Sequence, residues 1–160
     1  MVRRGWRSLG DDKLLLPMNG NGDVMAIKQM LNVDPDVRRW FPEVGDLTVM
    51  PPYSAWTTKR RVSLGAMFPS APATQMPTTH LVVVDRQPRT KGIHVSSMTA
   101  AEAISALLHQ SVIPHDAPTA AGITRALARL GERVSGVKVS VGDDAYADPD
   151  ALIAVEAALR

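Results

Sequence analysis

Hydrophobic positions recur along this chain in two distinct patterns. Residues 81–84 form an unbroken apolar run that is mostly β-branched, which is typical of a central strand buried on both faces. Residues 137–141 are apolar at every second position, which predicts another strand. Between them, apolar residues recur at helical spacing in 99–111 and 116–134.

The helical stretches begin with recognisable start signals. Thr99 and Glu102 have the spacing of a capping box, in which each side chain satisfies a backbone N–H of the first turn. Asp116 is placed to start the second helix, and Asp148 followed by Pro149 predicts a last helix that runs towards the C-terminus. Strands and helices therefore alternate late in the chain, which indicates an α/β or α+β fold.

Turn signals divide the first forty residues. Two Asn-Gly pairs occupy 19–22 and predict a hairpin between 14–16 and 23–27. Asp34 followed by Pro35 predicts a short helix through residue 39 or 40, because proline suits the first helical position.

Proline is frequent in residues 42–79, which argues against long regular elements there. Residues 58–64 fit a short strand, and 70–79 are expected to form an exposed connector.

Composition narrows the class of protein. The 160 residues fit one domain, with 45% hydrophobic residues, 21% charged residues and a net charge of +2. The absence of cysteine excludes disulfides and thiolate metal sites and fits the cytoplasm. No apolar run is long enough to cross a membrane, and the basic N-terminus lacks the apolar core of a signal peptide. The scarce aromatic residues and interleaved acidic ones argue against a dedicated nucleic-acid binder.

The tripeptide of Gly10, Asp11 and Asp12 is the first candidate for chemistry. It follows an apolar stretch that begins at Trp6, so its two carboxylates would lie at a strand end. There one carboxylate can hold Mg²⁺ while the other accepts a proton or makes a second metal contact. Gly-Asp-Asp is also good turn chemistry, and the same tripeptide recurs at 142–144, so a plain turn is the competing interpretation.

Three consecutive cations, Lys59, Arg60 and Arg61, form the second candidate. A strand here would direct Lys59 and Arg61 to one face and Arg60 to the other. Guanidinium groups bind phosphate oxygens in a bidentate manner. The competing interpretation is a solvated basic edge.

Other chemistries lack their motifs. The four histidines do not have the spacing of a metal site, and no serine lies in a G-x-S-x-G context. No G-x-x-x-x-G-K-[ST] sequence is present, so the chain has no P-loop to hold phosphates. The three tryptophans are interpreted as core or lid residues.

In order and spacing, these segments resemble HPr kinase-like proteins. Residues 6–16 resemble the second nucleotide motif of that family, an apolar strand that ends in Asp-Asp. Residues 26–28 resemble the short strand that follows, and Lys59 to Val62 resemble the basic segment. Residues 81–85, 99–111 and 137–159 resemble a core strand, the helix after it, and the last strand and helix.

The resemblance implies a fold and an activity. The fold would be the C-terminal portion of an α/β nucleotide-binding domain of the HPr kinase and PEP carboxykinase type, with a mixed sheet and flanking helices. The complete form would transfer phosphate from ATP with Mg²⁺ to a serine of a protein or peptide substrate. Asp11 and Asp12 would serve the metal and the attacking hydroxyl, and Lys59, Arg60 and Arg61 would lie near phosphate or substrate.

The resemblance also implies an incomplete enzyme. The Walker A half is missing, so residues 1–160 are interpreted as a single partial domain that is inactive alone and that needs an N-terminal half or a homo-oligomer. Two alternatives stay open: a non-catalytic binding or scaffold protein on the same fold, and a basic nucleic-acid-associated module.

Overall fold

The computed structural model describes residues 4–11, 13–18, 23–27, 30–148 and 150–160. These residues form a mixed α/β structure with three small sheets and several helices. They group into two compact units. The N-terminal unit comprises Met1–Leu15 and Val24–Met76, and the C-terminal unit comprises Leu16–Asp23 and Pro77–Arg160. Whether both belong to one partial HPr kinase-like domain stays a prediction.

The N-terminal unit is built from short strands and single helical turns. Its regular elements are β1 (Leu14–Leu15), β2 (Val24–Ala26), β3 (Met30–Val33), β4 (Arg60–Ser63), α1 (Leu64–Met67) and β5 (Gln75–Met76). Strands β1, β2 and β5 form one antiparallel sheet, and β3 and β4 form a two-stranded ribbon. Three 3₁₀-helices connect β3 to β4, at Pro35–Arg39, Pro42–Val44 and Leu47–Val49.

The core of this unit forms where the ribbon meets those helical turns. Val62 of β4 is buried against Val44 and Leu47 from two of the 3₁₀-helices. Val33 of β3 packs against the same cluster. Proline at the first position of two of the helices fixes their start, and the frequent prolines keep the connection irregular, as predicted.

The C-terminal unit is a three-stranded sheet with helices on both faces. Its elements are β6 (His80–Arg86), β7 (Ile93–Met98), α2 (Ala100–Gln110), α3 (Ala117–Arg133), β8 (Ser135–Val141) and α4 (Ile153–Ala158). The strand order is β6-β8-β7, with β8 parallel to β6 and antiparallel to β7. Strand β8 therefore lies between two strands that precede it in sequence.

The alternation of side chains along β8 decides which helix covers which face. Val137 and Val139 point to one face and are buried against Val155 of α4. Gly136 points to the other face, where a Cβ would lie only 3.5 Å from the Cβ of Ala103 in α2. Helix α3 packs along α2. Leu127 and Leu130 of α3 are buried and belong to the core.

Two predicted helix starts are confirmed in detail. The Thr99 hydroxyl accepts from the backbone N–H of Glu102, and the Glu102 carboxylate accepts from the backbone N–H of Thr99 at 2.7 Å. Asp116 caps α3 by accepting from the N–H of Thr119 at 2.9 Å. The predicted β1–β2 hairpin and the short helix after Asp34 are also confirmed. The turn proposed for that hairpin, residues 19–22, lies outside the described residues, as do Lys28 and Pro149.

Three other predictions differ from the structure. The 81–84 run lies in β6 at the edge of the sheet, and Val84 is 66% exposed, so its placement in a central strand buried on both faces was wrong. The apolar stretch before Asp11 makes an isolated bridge between Ser8 and Pro72 instead of a regular strand. Residues 70–79 are not exposed throughout, because Ala71 and Ala73 are buried.

Two elements, β7 and α4, were not predicted correctly from the sequence pattern. Strand β7 was missed, because only its first half alternates between apolar and polar residues before two serines. Helix α4 begins at Ile153, later than the predicted start near Asp148. Among the described residues, no helix combines the length and the apolar character needed to cross a membrane.

Candidate functional site

The first predicted site residue, Asp11, lies beside the β3–β4 ribbon. Its Oδ2 accepts a hydrogen bond from the backbone N–H of Asn32 in β3, at 3.0 Å, and the residue is exposed. Asp11 thus occupies a position along β3 that a further strand would otherwise take. Its neighbour Asp12 lies outside the described residues.

Asn32 lies between Asp11 and the second predicted site, because Asp11 bonds to the outer edge of β3 and Arg61 lies in the neighbouring strand β4. Asn32 lies directly opposite Arg61 in the β3–β4 register. The backbone N–H of Asn32 points outward to Asp11, and that of Arg61 points outward to the carbonyl of Pro51, at 2.9 Å. Asn32 and Arg61 are therefore a non-hydrogen-bonded antiparallel pair. Their side chains leave the ribbon on the same face, with Cβ atoms about 5 Å apart.

The two arginines of the basic segment hold nearby backbone carbonyls. The Nη2 of Arg61 donates to the carbonyl of Tyr53 at 3.0 Å, and its guanidinium lies 5.6 Å from the centre of the Tyr53 ring. The Nη1 of Arg60 donates to the carbonyl of Met50 at 3.4 Å. Since both residues lie in β4, their side chains point to opposite faces, as predicted, whereas Lys59 lies just before the strand.

Arg61 also has a buried donor without an acceptor. Its Nε is fully buried, and no residue within the described ranges accepts a hydrogen bond from it. A buried guanidinium N–H without a partner is costly. The basic segment is therefore largely structural, but one of its donors is left for a bound anion or a water molecule.

A second strand-like segment pairs with the basic segment and forms a hairpin. The backbone N–H of Tyr53 donates to the carbonyl of Lys59 at 2.9 Å. Within the loop, the hydroxyl of Ser54 accepts from the N–H of Trp56, and the hydroxyl of Thr57 accepts from the N–H of Lys59. The loop residues are thus held by their own side chains.

Trp56 is presented at the tip of this hairpin. Its side chain is 93% exposed, and Trp6 and Trp40 are also exposed, so the prediction of core residues was wrong for all three tryptophans, while a lid role stays a prediction. The small residues on both sides of Trp56, mostly serine and threonine, were the available signal, since they favour a turn and offer no large apolar neighbour. An exposed indole is suited to stack on a planar or apolar ligand.

The second Gly-Asp-Asp sequence, at 142–144, has a structural role. Asp143 pairs with Arg86 at 3.0 Å, and the Oδ1 of Asp144 accepts from the N–H of Gly92 at 2.7 Å. A Cβ on Gly142 would lie 2.3 Å from the carbonyl oxygen of Thr90. The tripeptide, which directly follows β8, therefore stabilises the loop that connects β6 to β7.

Among the described residues, two carboxylates have lowered pKa values, and both take part in capping a helix. Hydrogen bonds from the Thr99 backbone and hydroxyl hold the pKa of Glu102 below its usual range. Hydrogen bonds from the side chain and backbone of Thr48 do the same to the pKa of Asp46. Each shift arises because the donors stabilise the ionised form, and neither group belongs to the Asp11 and Arg61 site.

No family model, no curated protein and no solved structure matches this chain.

The site must therefore be judged from its own residues. Across the described parts of the chain, no group of three or more His, Cys, Asp or Glu side chains is arranged to hold a metal ion. Asp11 offers one exposed carboxylate, of which Oδ2 is already engaged by Asn32. Magnesium often takes only one or two protein carboxylates, with the remaining ligands coming from water and phosphate. Asp11 can thus contribute one ligand, but the described residues do not form a complete magnesium site.

Proposed function

We propose that this chain is the C-terminal portion of an HPr kinase-like protein, which takes part in phosphoryl transfer only together with a P-loop. The supporting observation is the meeting of two separate segments at β3, where Asn32 binds Asp11 and lies opposite Arg61. A phosphoryl-transfer site needs a carboxylate for Mg²⁺ and cations for phosphate close together, because positioning and charge neutralisation supply most of the catalysis.

The chain alone does not fit ATP. It has no G-x-x-x-x-G-K-[ST] loop to hold the β- and γ-phosphates, and Asp11 is a single partial ligand for Mg²⁺. We therefore expect the isolated chain to bind ATP·Mg²⁺ with a dissociation constant weaker than about 10 µM, which corresponds to roughly −7 kcal/mol. Isothermal titration calorimetry measures this, and tighter binding would contradict the proposal of an incomplete site.

The positive test requires the P-loop. The DNA upstream of the Met1 codon is examined for an in-frame G-x-x-x-x-G-K-[ST] sequence, and neighbouring genes are examined for a separate P-loop protein. Co-expression of that segment with this chain should produce ATP-dependent phosphorylation of a serine. If the reconstituted protein binds ATP·Mg²⁺ tightly and yet transfers no phosphate, the kinase assignment is wrong.

Variants of Asp11 distinguish the effect of its negative charge from the effect of its hydrogen bond to Asn32. In the reconstituted protein, Asp11→Asn keeps an oxygen for the N–H of Asn32 but removes the charge, whereas Asp11→Ala removes both. Loss of a metal-binding carboxylate should lower turnover about a hundredfold, near 3 kcal/mol. Asp12→Asn is the parallel test, because the resemblance assigns the same role to both residues. The matched control is Asp144→Asn in the second Gly-Asp-Asp, which should retain activity.

A second candidate function is a non-catalytic binding protein, which the Trp56 hairpin favours. Both arginines of the basic segment hold backbone carbonyls of residues 50–53, next to the hairpin that carries Trp56. Arginines that donate to these carbonyls stabilise the hairpin on which the indole is exposed. Their guanidinium groups are then engaged by the protein and do not contact a substrate. Under this proposal the ligand stacks on Trp56 beside Lys59.

Fluorescence anisotropy of labelled ligands distinguishes the kinds of ligand without relying on the emission of Trp56. Single-stranded oligonucleotide, heparin and neutral peptides are titrated against the chain, with Trp56→Phe as the variant and Trp6→Phe as the matched control. Binding of oligonucleotide that falls steeply with salt and is lost only in Trp56→Phe would favour a nucleic-acid-associated module. Equal binding by both variants would contradict a role for the hairpin.

A further inference from the structure

One edge of the sheet in the C-terminal unit is apolar and unpaired. Within the described residues, β6 pairs only with β8, on one side. Residues 81–84 contain neither lysine nor proline, which are the residues that commonly protect a strand edge from pairing with another chain. Strand β7 forms the opposite edge, but it is interrupted by Ser96 and Ser97.

Hydrogen bonds at the ends of β6 show which backbone groups point outward. The carbonyl of Thr79 accepts from the N–H of Ser135, and the N–H of Gln87 donates to the carbonyl of Val141. In a parallel pair, alternate residues of a strand direct both backbone groups to the same neighbour. The odd-numbered residues of β6 therefore bond to β8, and the even-numbered ones, including Val82 and Val84, point to the open edge.

The side chains at this edge are also incompletely covered. Val84 is 66% exposed, whereas Val139, its partner in the β6–β8 register, is 3% exposed. Val82 and Val84 share the face that α4 covers farther along the sheet. A further strand at the edge would therefore cover an exposed valine as well as pair the outward backbone groups.

We propose that a second copy of this chain binds at the β6 edge, through antiparallel pairing of the two β6 strands centred on Val83. Hydrogen-bonded pairs in an antiparallel ladder join residues whose groups point toward each other. The outward groups belong to the even-numbered residues of β6. An antiparallel register is therefore allowed only if it places even-numbered residues of one copy opposite even-numbered residues of the other. Centring on Val83 pairs the whole of His80–Arg86 with itself, and it places Val82 of each copy opposite Val84 of the other.

This register makes the edge self-complementary in the way that a two-fold interface requires. Both copies contribute the same outward N–H and C=O groups, and the apolar middle of one strand meets the apolar middle of the other. The result is a continuous six-stranded sheet. Pairing two short strands buries less area than the roughly 1,600 Å² of a standard interface, so the dimer is weak and depends on concentration.

The first experiment compares two Val→Lys variants by sedimentation velocity from about 10 µM to 1 mM. Val84→Lys places a charge on the proposed edge, and Val112→Lys places the same charge on another exposed valine of this unit, which is 88% exposed. We expect Val84→Lys to weaken the dimer at least tenfold and Val112→Lys to leave it unchanged. Circular dichroism checks that both variants fold. A wild-type chain that stays monomeric at 1 mM overturns the proposal.

The second experiment tests the register and does not depend on the stability of Val84→Lys. The chain contains no cysteine, so Val83→Cys introduces a single thiol. In the proposed dimer the two Val83 residues form a non-hydrogen-bonded pair, whose Cα atoms are about 4.5 Å apart, within the range that a disulfide spans. Mild oxidation should cross-link Val83→Cys much faster than the control Val112→Cys. Equal rates would overturn this register.

Hydrogen exchange supplies a residue-level readout on the unmodified chain. On raising the concentration, the amides of Val82 and Val84 should become protected, while those of Leu81 and Val83 are already protected by β8. If a dimer forms without added protection at Val82 and Val84, the copies associate through another surface, such as β7, and the proposal is wrong.

Discussion

The close approach of α2 and α3 at Gly131 leads to a prediction with a definite sign. A Cβ on Gly131 would lie 2.4 Å from Cγ1 of Ile104, 3.2 Å from its backbone nitrogen and 3.3 Å from its Cα. The side-chain contact can be relieved by a rotamer change, but the backbone contacts cannot. Ile104 lies one turn into a helix that the capping box of Thr99 and Glu102 holds at its start.

The magnitude follows from two opposing effects. Alanine in place of glycine stabilises a helix by roughly 0.5–1 kcal/mol. Forcing an extra methyl into a closely packed contact costs roughly 1–3 kcal/mol. We therefore expect Gly131→Ala to lower the free energy of unfolding by about 1–2 kcal/mol. A background of Ile104→Ala should reduce this penalty, because it removes the nearest atom.

Gly122 in the same helix is the matched control. Its added Cβ would meet only Cε of Met18, at 2.8 Å, and a methionine end moves easily. Gly122→Ala should thus be neutral or stabilising by up to about 1 kcal/mol. Urea denaturation followed by circular dichroism at 222 nm measures both variants. If Gly131→Ala stabilises as much as Gly122→Ala, the two helices do not approach as closely as described.

Two further predictions concern carboxylates that hold backbone groups. Asp144→Ala removes the acceptor for Gly92 and should lower the free energy of unfolding by about 1–2 kcal/mol, whereas Asp144→Asn should cost less than half as much by the same urea titration. Glu102 has a lowered pKa in the folded chain, so its contribution to stability is present above its ordinary value of 4.5 and is lost as the pH falls through the folded value. Stability measured from pH 7 to pH 3 should therefore fall less steeply in Glu102→Gln.

Local signals were sufficient to predict the helix starts and one hairpin. The capping box at Thr99 and the cap at Asp116 depend on residues within one turn, so the sequence contains the whole interaction. The β1–β2 hairpin was predicted in the same way from its Asn-Gly pairs. These elements are determined by neighbours in sequence.

Long-range arrangement could not be predicted in this way. An apolar run such as 81–84 is compatible with a central strand or an edge strand, because only the number of neighbouring strands distinguishes them. Likewise, the two Gly-Asp-Asp tripeptides are identical in sequence. Asp144 holds the N–H of Gly92 and Asp11 holds the N–H of Asn32, and both partners are distant in sequence. The kinase assignment of Asp11 stays a prediction.

The position of β8 between two earlier strands has a consequence for synthesis on the ribosome. Because β6 and β7 do not pair with each other, neither can enter a sheet until Ser135–Val141 has been made and has left the exit tunnel. Helices α2 and α3 can form earlier, since their contacts are local. Until then the apolar stretch of β6 is exposed for the time needed to translate about fifty residues, which is roughly 3–10 s at about 5–20 residues/s. During that interval the unpaired apolar segment is available for aggregation with other chains.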